Sequence, residues 1–203
     1  MTRDRILDAA ALEIERNGLT QFRVKRVAAE AGISVALLYS YFEDREGLIA
    51  ATIVHRFRQV LLGQAEIFTT PLKHVTTIAQ LRTALEQMIS DAQAPELDRA
   101  RILRIESISF ARHNLTASMG IAEAKREASD RIIEWVQPLE DRQLLAPGMT
   151  GVAFARIWYA LFFGQIALDG EHALSIGSEE WLRALHVLSD AVVRSESRVD
   201  ALG

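Results

Sequence analysis

The chain has 203 residues, of which 49% are hydrophobic and 25% are charged, a composition typical of a globular protein with one or two domains. It contains no cysteine, which excludes disulfide bridges, thiolate metal sites and cysteine nucleophiles. The net charge of −4 argues against a broadly basic nucleic-acid binder, although residues 16–42 hold four basic residues and one acidic residue.

The first predicted helix begins near Thr2 and ends at Gly18. No apolar run in the chain reaches the roughly 18 residues of a membrane-spanning helix, and the N-terminus leads into an amphipathic helix rather than a signal peptide. We therefore expect a cytoplasmic protein that does not bind membranes. The buried stripe of the first helix consists of Ile6, Leu7, Ala10 and Ile14.

Residues 22–48 predict two short helices joined by a tight turn, followed by the start of a longer helix. Gly32 stands where a helix end favours a left-handed residue, and Ser34 is a good N-cap for the second short helix. Leu38 and Phe42 lie four residues apart and are predicted to face inward. This is the plan of a helix-turn-helix, whose second helix enters the major groove of DNA. The residues predicted to face outward are Val35, Ala36, Leu37, Ser40 and Tyr41.

These segments resemble the tetracycline-repressor (TetR) family of bacterial transcription regulators over roughly the first 50 residues. Leu12 and Glu13 depart from the family's usual order, which we expect to affect packing more than function. The motifs that carry the resemblance are ILDAA at 6–10, NG at 17–18, VKRVA at 24–28, AGIS at 31–34, LYSYF at 38–42 and DREGL at 44–48.

The predicted fold class is all-α, with an N-terminal three-helix helix-turn-helix domain at 1–46 and a C-terminal helical bundle at 47–203. The resemblance implies that the second domain senses a small-molecule effector and forms a homodimer. It also implies that the partner is a double-stranded, near-palindromic DNA operator, with half-sites about 34 Å apart. The function implied is a sequence-specific transcriptional regulator, more often a repressor than an activator. No cofactor is predicted.

Eleven residues are predicted to contact DNA. The basic side chains suit phosphate contacts, which fix register, and the two tyrosines offer hydroxyls to phosphate. Base reading is predicted for Ser34, Val35, Ala36, Leu37 and Ser40. Val35, Ala36 and Leu37 have no side-chain hydrogen bond to offer, so we expect apolar contact with thymine methyl groups and a contribution from DNA shape. The predicted DNA-binding residues are Arg23, Lys25, Arg26, Ser34, Val35, Ala36, Leu37, Tyr39, Ser40, Tyr41 and Arg45.

Helices are predicted from Arg45 to about Phe68, from Thr76 to Ala92 and from Glu96 to about His113. A further helical pattern runs from about residue 121 to Leu139, and Pro138 should kink it or end its regular part. The last two helices, at 150–168 and 179–193, are rich in apolar residues. The first of these is apolar on most sides, and a helix that is apolar all round must be buried all round.

Two apolar helices near the C-terminus favour pairing with their two-fold copies in a four-helix bundle, and the resemblance places the dimer interface there. The alternative is that both helices form the core of a monomer. The residues predicted for the interface are Phe154, Leu161, Trp181, Leu185, Leu188 and Val192.

A few polar groups interrupt the apolar stripes of the C-terminal region, as in a small-molecule site within a helical bundle. The resemblance implies a pocket whose occupation releases DNA, although each residue taken singly is more often core or surface. The effector-binding candidates are Glu106, Phe110, His113, Trp135, Trp158, Phe162 and Gln165.

The sequence offers no metal or catalytic motif. The five histidines include no pair at helical i, i+3 or i, i+4 spacing, and there is no nucleophile elbow or glycine-rich phosphate loop. We therefore predict no metal site, no catalytic residue and no enzymatic activity. Two alternatives stay open: an interaction or ligand-binding protein without operator binding, and a helical enzyme that uses the cavity for chemistry.

Overall fold

The computed structural model describes residues 2–94, 96–168 and 177–195, and the side chains of residues 96 and 165–168 are not included in the description. Within these ranges the chain forms α-helices, one 3-10 turn and no strand. An isolated antiparallel bridge joins Leu145 to Val193. The helices are α1 (Thr2–Asn17), α2 (Val24–Glu30), α3 (Val35–Tyr41), α4 (Arg45–Thr69), α5 (Ile78–Asp91), α6 (Glu96–Ala111), α7 (Leu115–Asp141), α8 (Gly151–Leu168) and α9 (Ser178–Val192), and the 3-10 turn is Thr70–Leu72.

The turn between α2 and α3 has the predicted chemistry. Gly32 adopts a positive φ of 65°, and its N–H donates to the Ala29 carbonyl at 3.1 Å. The N–H of Ile33 donates to the Ala28 carbonyl at 3.0 Å, which completes a Schellman motif. Ser34 Oγ accepts from the N–H of Leu37 at 3.1 Å and caps α3. The helix-turn-helix geometry therefore follows from local hydrogen bonds.

Side-chain caps also set the starts of three later helices. Asp44 Oδ1 accepts from the N–H of Gly47 at 2.6 Å at the start of α4. Thr77 and Gln80 form a capping box at the start of α5. Asn114 Oδ1 accepts from the N–H of Ala117 at 2.9 Å, so α7 begins at Leu115.

Pro138 does not end α7, which continues to Asp141. Of the two outcomes predicted for this proline, the end of the regular helix is wrong, and the kink stays a prediction. A proline removes a single N–H donor, and in the last turn of a helix few hydrogen bonds lie downstream of that loss. The last turn of α7 then leads into Gln143, which adopts a positive φ of 56°.

Two compact units make up the chain. The first unit is Met1–Leu62 with Leu103–Glu127, and the second unit is Gly63–Ile102 with Ala128–Gly203. The division differs from the predicted domain boundary near residue 46, because the first unit also includes part of α4, of α6 and of α7. No helix in the described ranges combines the length and apolar character that crossing a bilayer requires.

The first unit has a core built from α1 to α4. Ile6, Leu7, Val27, Leu38 and Leu48 are each fully buried in it. The inward positions predicted for α1 and α3 are therefore confirmed. This core fixes α3 from behind and leaves its other face open.

The second unit has its own core, built from the 3-10 turn, α5, α8, α9 and the C-terminal part of α7. Leu81, Leu85 and Leu139 are fully buried there. Leu81, Leu85, Met88 and Ile89 form the buried stripe of α5.

Candidate DNA-binding surface and ligand cavity

Helix α3 presents a mixed apolar and aromatic surface to solvent. Leu37, Tyr39 and Tyr41 are 42%, 41% and 44% exposed, large values for residues of this kind. Ala36 and Ser40 are exposed beside them. These residues match five of the predicted DNA contacts, and the short helix places them together on one surface.

Val35 differs from the prediction. Its side chain is half-buried and packs against the core of the first unit, so it does not face outward as expected. Ser40 Oγ donates to the Leu37 carbonyl at 2.7 Å, which leaves its oxygen as an acceptor. Of the residues predicted to read bases, Ser34, Ala36, Leu37 and Ser40 are exposed.

Arg26, a predicted phosphate contact, belongs to a structural ion pair. Its Nε and Nη2 donate to Glu13 Oε1 at 2.8 Å and 2.6 Å, and Nη2 also donates to the Gln21 carbonyl at 2.6 Å. Glu13 is only 6% exposed although it carries a charge. Protein acceptors therefore hold the Arg26 guanidinium, and the assignment of Arg26 to DNA stays a prediction.

Glu13 also caps α2 from a different helix. Residue 23, the N-cap of α2, is an arginine whose side chain makes no cap hydrogen bond. Glu13 Oε1 instead accepts from the backbone N–H of Arg23 at 3.0 Å, and Oε2 accepts from Asn17 Nδ2 at 2.9 Å. We call Glu13, Asn17, Arg23 and Arg26 the glutamate clamp. The sequence placed Glu13 among packing details, whereas it joins α1 to α2.

The hydrogen bond from Arg26 holds the pKa of the Glu13 carboxyl below its ordinary value, against the opposing effect of burial. The same pairing raises the pKa of Arg26. Glu13 is therefore ionised throughout the physiological range. A positively charged arginine at the third position of α2, with a glutamate on the preceding helix, is the sequence signal that could have suggested this pair.

Arg45 is held in a similar way. Its Nη2 donates to the Leu19 carbonyl at 2.9 Å, and its Nη1 pairs with Glu46. The guanidinium also lies 5.6 Å from the centre of the Phe22 ring, in a cation–π contact. These contacts fasten the loop before α2 to the start of α4, and phosphate binding by Arg45 stays a prediction.

The basic charge available to DNA is smaller than the sequence suggested. Arg16 lies 3.7 Å from Glu30, so part of its charge is also compensated. Arg23 and Lys25 are exposed, and no side-chain hydrogen bond or ion pair is described for either. Among the candidates for phosphate contact, these two residues and the exposed hydroxyls of Tyr39 and Tyr41 are the ones for which no protein partner is described.

Helix α9 has two apolar faces. Leu185 and Val192 are buried in the core of the second unit, 1% and 4% exposed. On the other side, Ala184, Val187 and Leu188 are exposed, with Ala191 one turn further along the same face. This i, i+3, i+4, i+7 spacing forms one apolar stripe, which we call the α9 stripe. Val187 is 71% exposed, the clearest sign of an unpartnered surface.

The predicted interface residues separate into two groups. Phe154, Leu185 and Val192 are buried by their own protomer, so they have no surface for a partner and are corrected to core residues. Leu161 and Trp181 are half-buried against the same core, and Leu188 is exposed. Helix α8 is not buried on all sides as expected: Val152, Arg156, Tyr159 and Ala160 are exposed.

A cavity of about 40 Å³ lies within the second unit. Its wall contains an aromatic ladder in which Phe68 stacks on Phe162 at 4.8 Å and Phe162 stacks on Trp158 at 5.4 Å, between ring centres. The described residues that line it include no charged side chain. The lining residues are Phe68, Thr69, Leu72, Met88, Ile132, Val136, Phe154, Ala155, Trp158, Tyr159 and Phe162.

The cavity contains two of the predicted effector-binding residues, Trp158 and Phe162. Trp135 is not in its wall; the Lys73 ammonium covers the ring at 5.3 Å from its centre. The side chain of Gln165 lies outside the described residues.

The other three effector candidates, Glu106, Phe110 and His113, belong to the first unit. Phe110 packs against the core of that unit, together with α1 to α4. Glu106 and His113 are exposed. Among the described residues, no cluster of three or more histidine, aspartate or glutamate side chains is placed to hold a metal ion.

Comparison with known proteins gives a consistent result. Residues 6–52 match the profile of the family described as "Bacterial regulatory proteins, tetR family". The HTH-type transcriptional regulator BetI of Brucella anthropi is 28% identical over 156 residues, which covers 66% of this chain and 75% of that one. The same-named regulator of Yersinia pestis is 26% identical over 184 residues, which covers 84% and 83%.

Solved structures show the same fold along most of the chain. The crystal structure of a chain from Mesorhizobium loti assigned to the TetR-family transcriptional regulators has a TM-score of 0.64 and 18% identity, and it covers 93% of this chain and 92% of that one. A chain from Rhodococcus sp. with the same assignment has a TM-score of 0.61 and 22% identity, with 94% and 97% covered. At these identities the likeness concerns the fold alone.

Proposed function

We propose that this chain, which belongs to the TetR family and is a DNA-binding transcriptional regulator, is a cytoplasmic homodimeric repressor that a small molecule releases from its operator. The observation that carries the proposal is the exposed face of α3. A short helix that exposes Leu37, Tyr39 and Tyr41 while burying Leu38 is suited to insertion in the major groove.

The mode of base reading follows from which side chains α3 exposes. Ala36 and Leu37 have no hydrogen-bonding group, so they can contact only the apolar part of a base edge, the thymine methyl group. Ser40 already donates its hydroxyl hydrogen to the Leu37 carbonyl, whereas Ser34 Oγ accepts from the Leu37 N–H and keeps its hydroxyl hydrogen to donate. We expect specificity to depend on thymines at the centre of each half-site and on DNA shape.

Burial of one methyl-sized group contributes ~0.8 kcal/mol, so replacing a contacted thymine with uracil should weaken binding about fourfold. Leu37→Ala provides the matched control. The variant should bind the thymine and uracil operators with nearly equal affinity, because the side chain that contacts the methyl group is absent. Equal affinities of the unmodified protein for both duplexes would refute apolar base reading.

Dimerisation is supported by the α9 stripe. An exposed apolar stripe of four residues is unfavourable in a monomer and matches one half of a helix–helix interface. A two-fold axis would place the stripe against its own copy, because such an interface uses the same patch twice. The two α3 helices would then enter successive major grooves, about 34 Å apart.

The cavity of the second unit supports the effector part of the proposal. An apolar cavity with a small number of polar groups is the usual form of a small-molecule site. A ligand that binds only the conformation unable to span both half-sites shifts the population toward that conformation and lowers operator affinity.

Selection of bound duplexes from a random pool, followed by a salt titration, tests the function. We expect a near-palindrome whose affinity falls steeply with salt, since phosphate contacts release counterions. A folded, dimeric sample that enriches no sequence at low salt would refute operator binding and favour an interaction protein instead. Turnover of a bound molecule would favour the enzyme alternative.

A further inference from the structure

The wall of the cavity in the second unit holds a buried polar atom without a partner. Trp158 is 2% exposed, and its indole Nε1 has no hydrogen-bond acceptor among the residues that the structure describes. A buried donor that is left unsatisfied costs about 1–3 kcal/mol. Native proteins satisfy most such groups, so an unsatisfied one beside a cavity points to an acceptor supplied from outside the chain.

The other polar groups in the wall do not supply that acceptor. Thr69 is buried, and its hydroxyl makes a long contact of 3.5 Å with the Glu66 carbonyl. Tyr159 lies at the more exposed part of the wall. The remaining lining residues are apolar or aromatic. Among the described lining residues, Trp158 is therefore the one with a buried hydrogen-bond donor that has no acceptor.

The residues that line the cavity also determine which net charge a bound molecule can carry. No described lining residue carries a charge, so an anion or a cation placed here would lose its hydration without gaining an opposite charge. The stacked rings of Phe68, Phe162 and Trp158 instead offer flat apolar contact. An uncharged molecule with an apolar or aromatic body suits this surface.

The size of the cavity sets a further condition. Its volume of about 40 Å³ is smaller than the roughly 150 Å³ that accommodates benzene in an engineered protein cavity. A one-ring ligand must therefore displace part of the wall. Ligand binding in the cavity would then be coupled to a change of conformation, which is what an effector must produce to alter DNA affinity.

From these observations we infer that the cavity binds an uncharged, mainly apolar molecule that presents one hydrogen-bond acceptor, such as a carbonyl oxygen, to Nε1 of Trp158. The inference rests on the proposed function for its regulatory meaning, but its ligand chemistry can be tested without DNA.

The test compares acetophenone with ethylbenzene, which has a similar shape but no acceptor, and with benzoate, which is charged. Affinities are measured by titration calorimetry on the full chain and on Trp158→Phe. Ethylbenzene is more hydrophobic than acetophenone, so the two affinities are not compared directly. The quantity compared is the ratio of the acetophenone affinity to the ethylbenzene affinity, measured once in the unmodified chain and once in Trp158→Phe. A hydrogen bond is worth about 1 kcal/mol, so that ratio should shift about fivefold toward ethylbenzene in Trp158→Phe.

Indole ¹⁵N spectra give a second readout that does not depend on the variant. The chain has three tryptophans, and each supplies one Nε1–H signal. Acetophenone should shift the Trp158 signal, whereas ethylbenzene should not shift it in the direction of a hydrogen bond. Trp181 Nε1 is also buried without a partner but does not line the cavity, so its signal is the internal control.

We expect benzoate to bind at least tenfold more weakly than acetophenone, because the wall cannot compensate its charge. The inference is overturned by tighter binding of benzoate, by an unchanged affinity ratio in Trp158→Phe, by a stationary Trp158 signal, or by no acetophenone binding up to its solubility. Release of the selected operator is measured separately by fluorescence anisotropy. Binding with the expected Trp158 signature but without DNA release would preserve the ligand class and refute the effector role.

Discussion

Replacing Glu13 with glutamine removes the charge at the centre of the glutamate clamp while keeping the size of the side chain. In the native chain this carboxylate accepts from Arg26 Nε at 2.8 Å, Arg26 Nη2 at 2.6 Å, the Arg23 N–H at 3.0 Å and Asn17 Nδ2 at 2.9 Å. Glutamine retains one acceptor oxygen and turns an amide donor toward groups that are all donors. Some of these donors therefore lose their partner.

The magnitude follows from those contacts. A hydrogen bond to a charged group contributes about 1.5–3 kcal/mol when buried. Arg26 has a side chain that is 49% exposed, so solvent screening reduces its share. We expect Glu13→Gln to lower the free energy of unfolding by about 2 kcal/mol, which corresponds to a fall in Tm of about 4–8 °C for a chain of this length.

Urea unfolding followed by circular dichroism measures the effect, and hydrogen exchange of the α2 amides locates it. Glu123→Gln is the matched control, because it makes the same change at an exposed carboxylate of the first unit. Substitutions of that kind usually change stability by less than about 0.5 kcal/mol. If both variants unfold alike, the clamp does not stabilise the first unit.

The pH dependence provides an independent check. The pKa of Glu13 is lowered in the folded protein, chiefly by the hydrogen bond from Arg26. Stability from such a group is fully present above the unfolded pKa and is lost as the pH falls through the folded pKa. The difference between the native chain and Glu13→Gln should therefore be constant near neutral pH and shrink under acid conditions, below a pH of about 4.3. A difference that grows on acidification would contradict the assignment.

Three further predictions concern separate features. Lys25→Ala should weaken operator binding and reduce the slope of log affinity against log salt concentration by about 1, without changing the free energy of unfolding in urea. An unchanged slope in the salt titration would remove Lys25 from the DNA interface. Gly120→Ala should lower the free energy of unfolding by about 1–3 kcal/mol in urea, since the added Cβ would lie 2.7 Å from a Val54 methyl group. Gly63→Ala, in open space within α4, should instead raise it by about 0.5–1 kcal/mol. A change of the same sign in both variants would refute the close-packing argument. Val187→Glu should convert the proposed dimer to a folded monomer in sedimentation equilibrium, whereas a variant that stays dimeric would exclude the α9 stripe from the interface.

The helix-turn-helix could be predicted from sequence because its signals are local. Gly32 at the end of α2 and Ser34 at the start of α3 act through hydrogen bonds to residues three to five positions away. The inward placement of Leu38 follows from helical spacing. Signals of this range are visible in the order of the residues alone.

The availability of the basic residues could not be predicted in the same way. Arg26 is bound by Glu13, 13 positions earlier in the chain, and Arg45 is bound by the Leu19 carbonyl, 26 positions earlier. Lys25, next to Arg26, has no such partner described. A count of charges treats all three alike, because it does not contain the packing of α1 against α2 that brings Glu13 into reach.

The apolar pattern of α9 likewise did not show which of its apolar residues are buried. The sequence by itself determined that α9 is a helix rich in apolar residues, since helical spacing is a local property. Only the tertiary structure decided that Leu185 and Val192 are covered by their own protomer while Val187 is open. The sequence also indicated Trp158 as a possible ligand contact, and the structure alone showed that its Nε1 is buried without an acceptor among the described residues. Burial and hydrogen-bond satisfaction depend on which segments meet in space, and residues distant in the chain determine that.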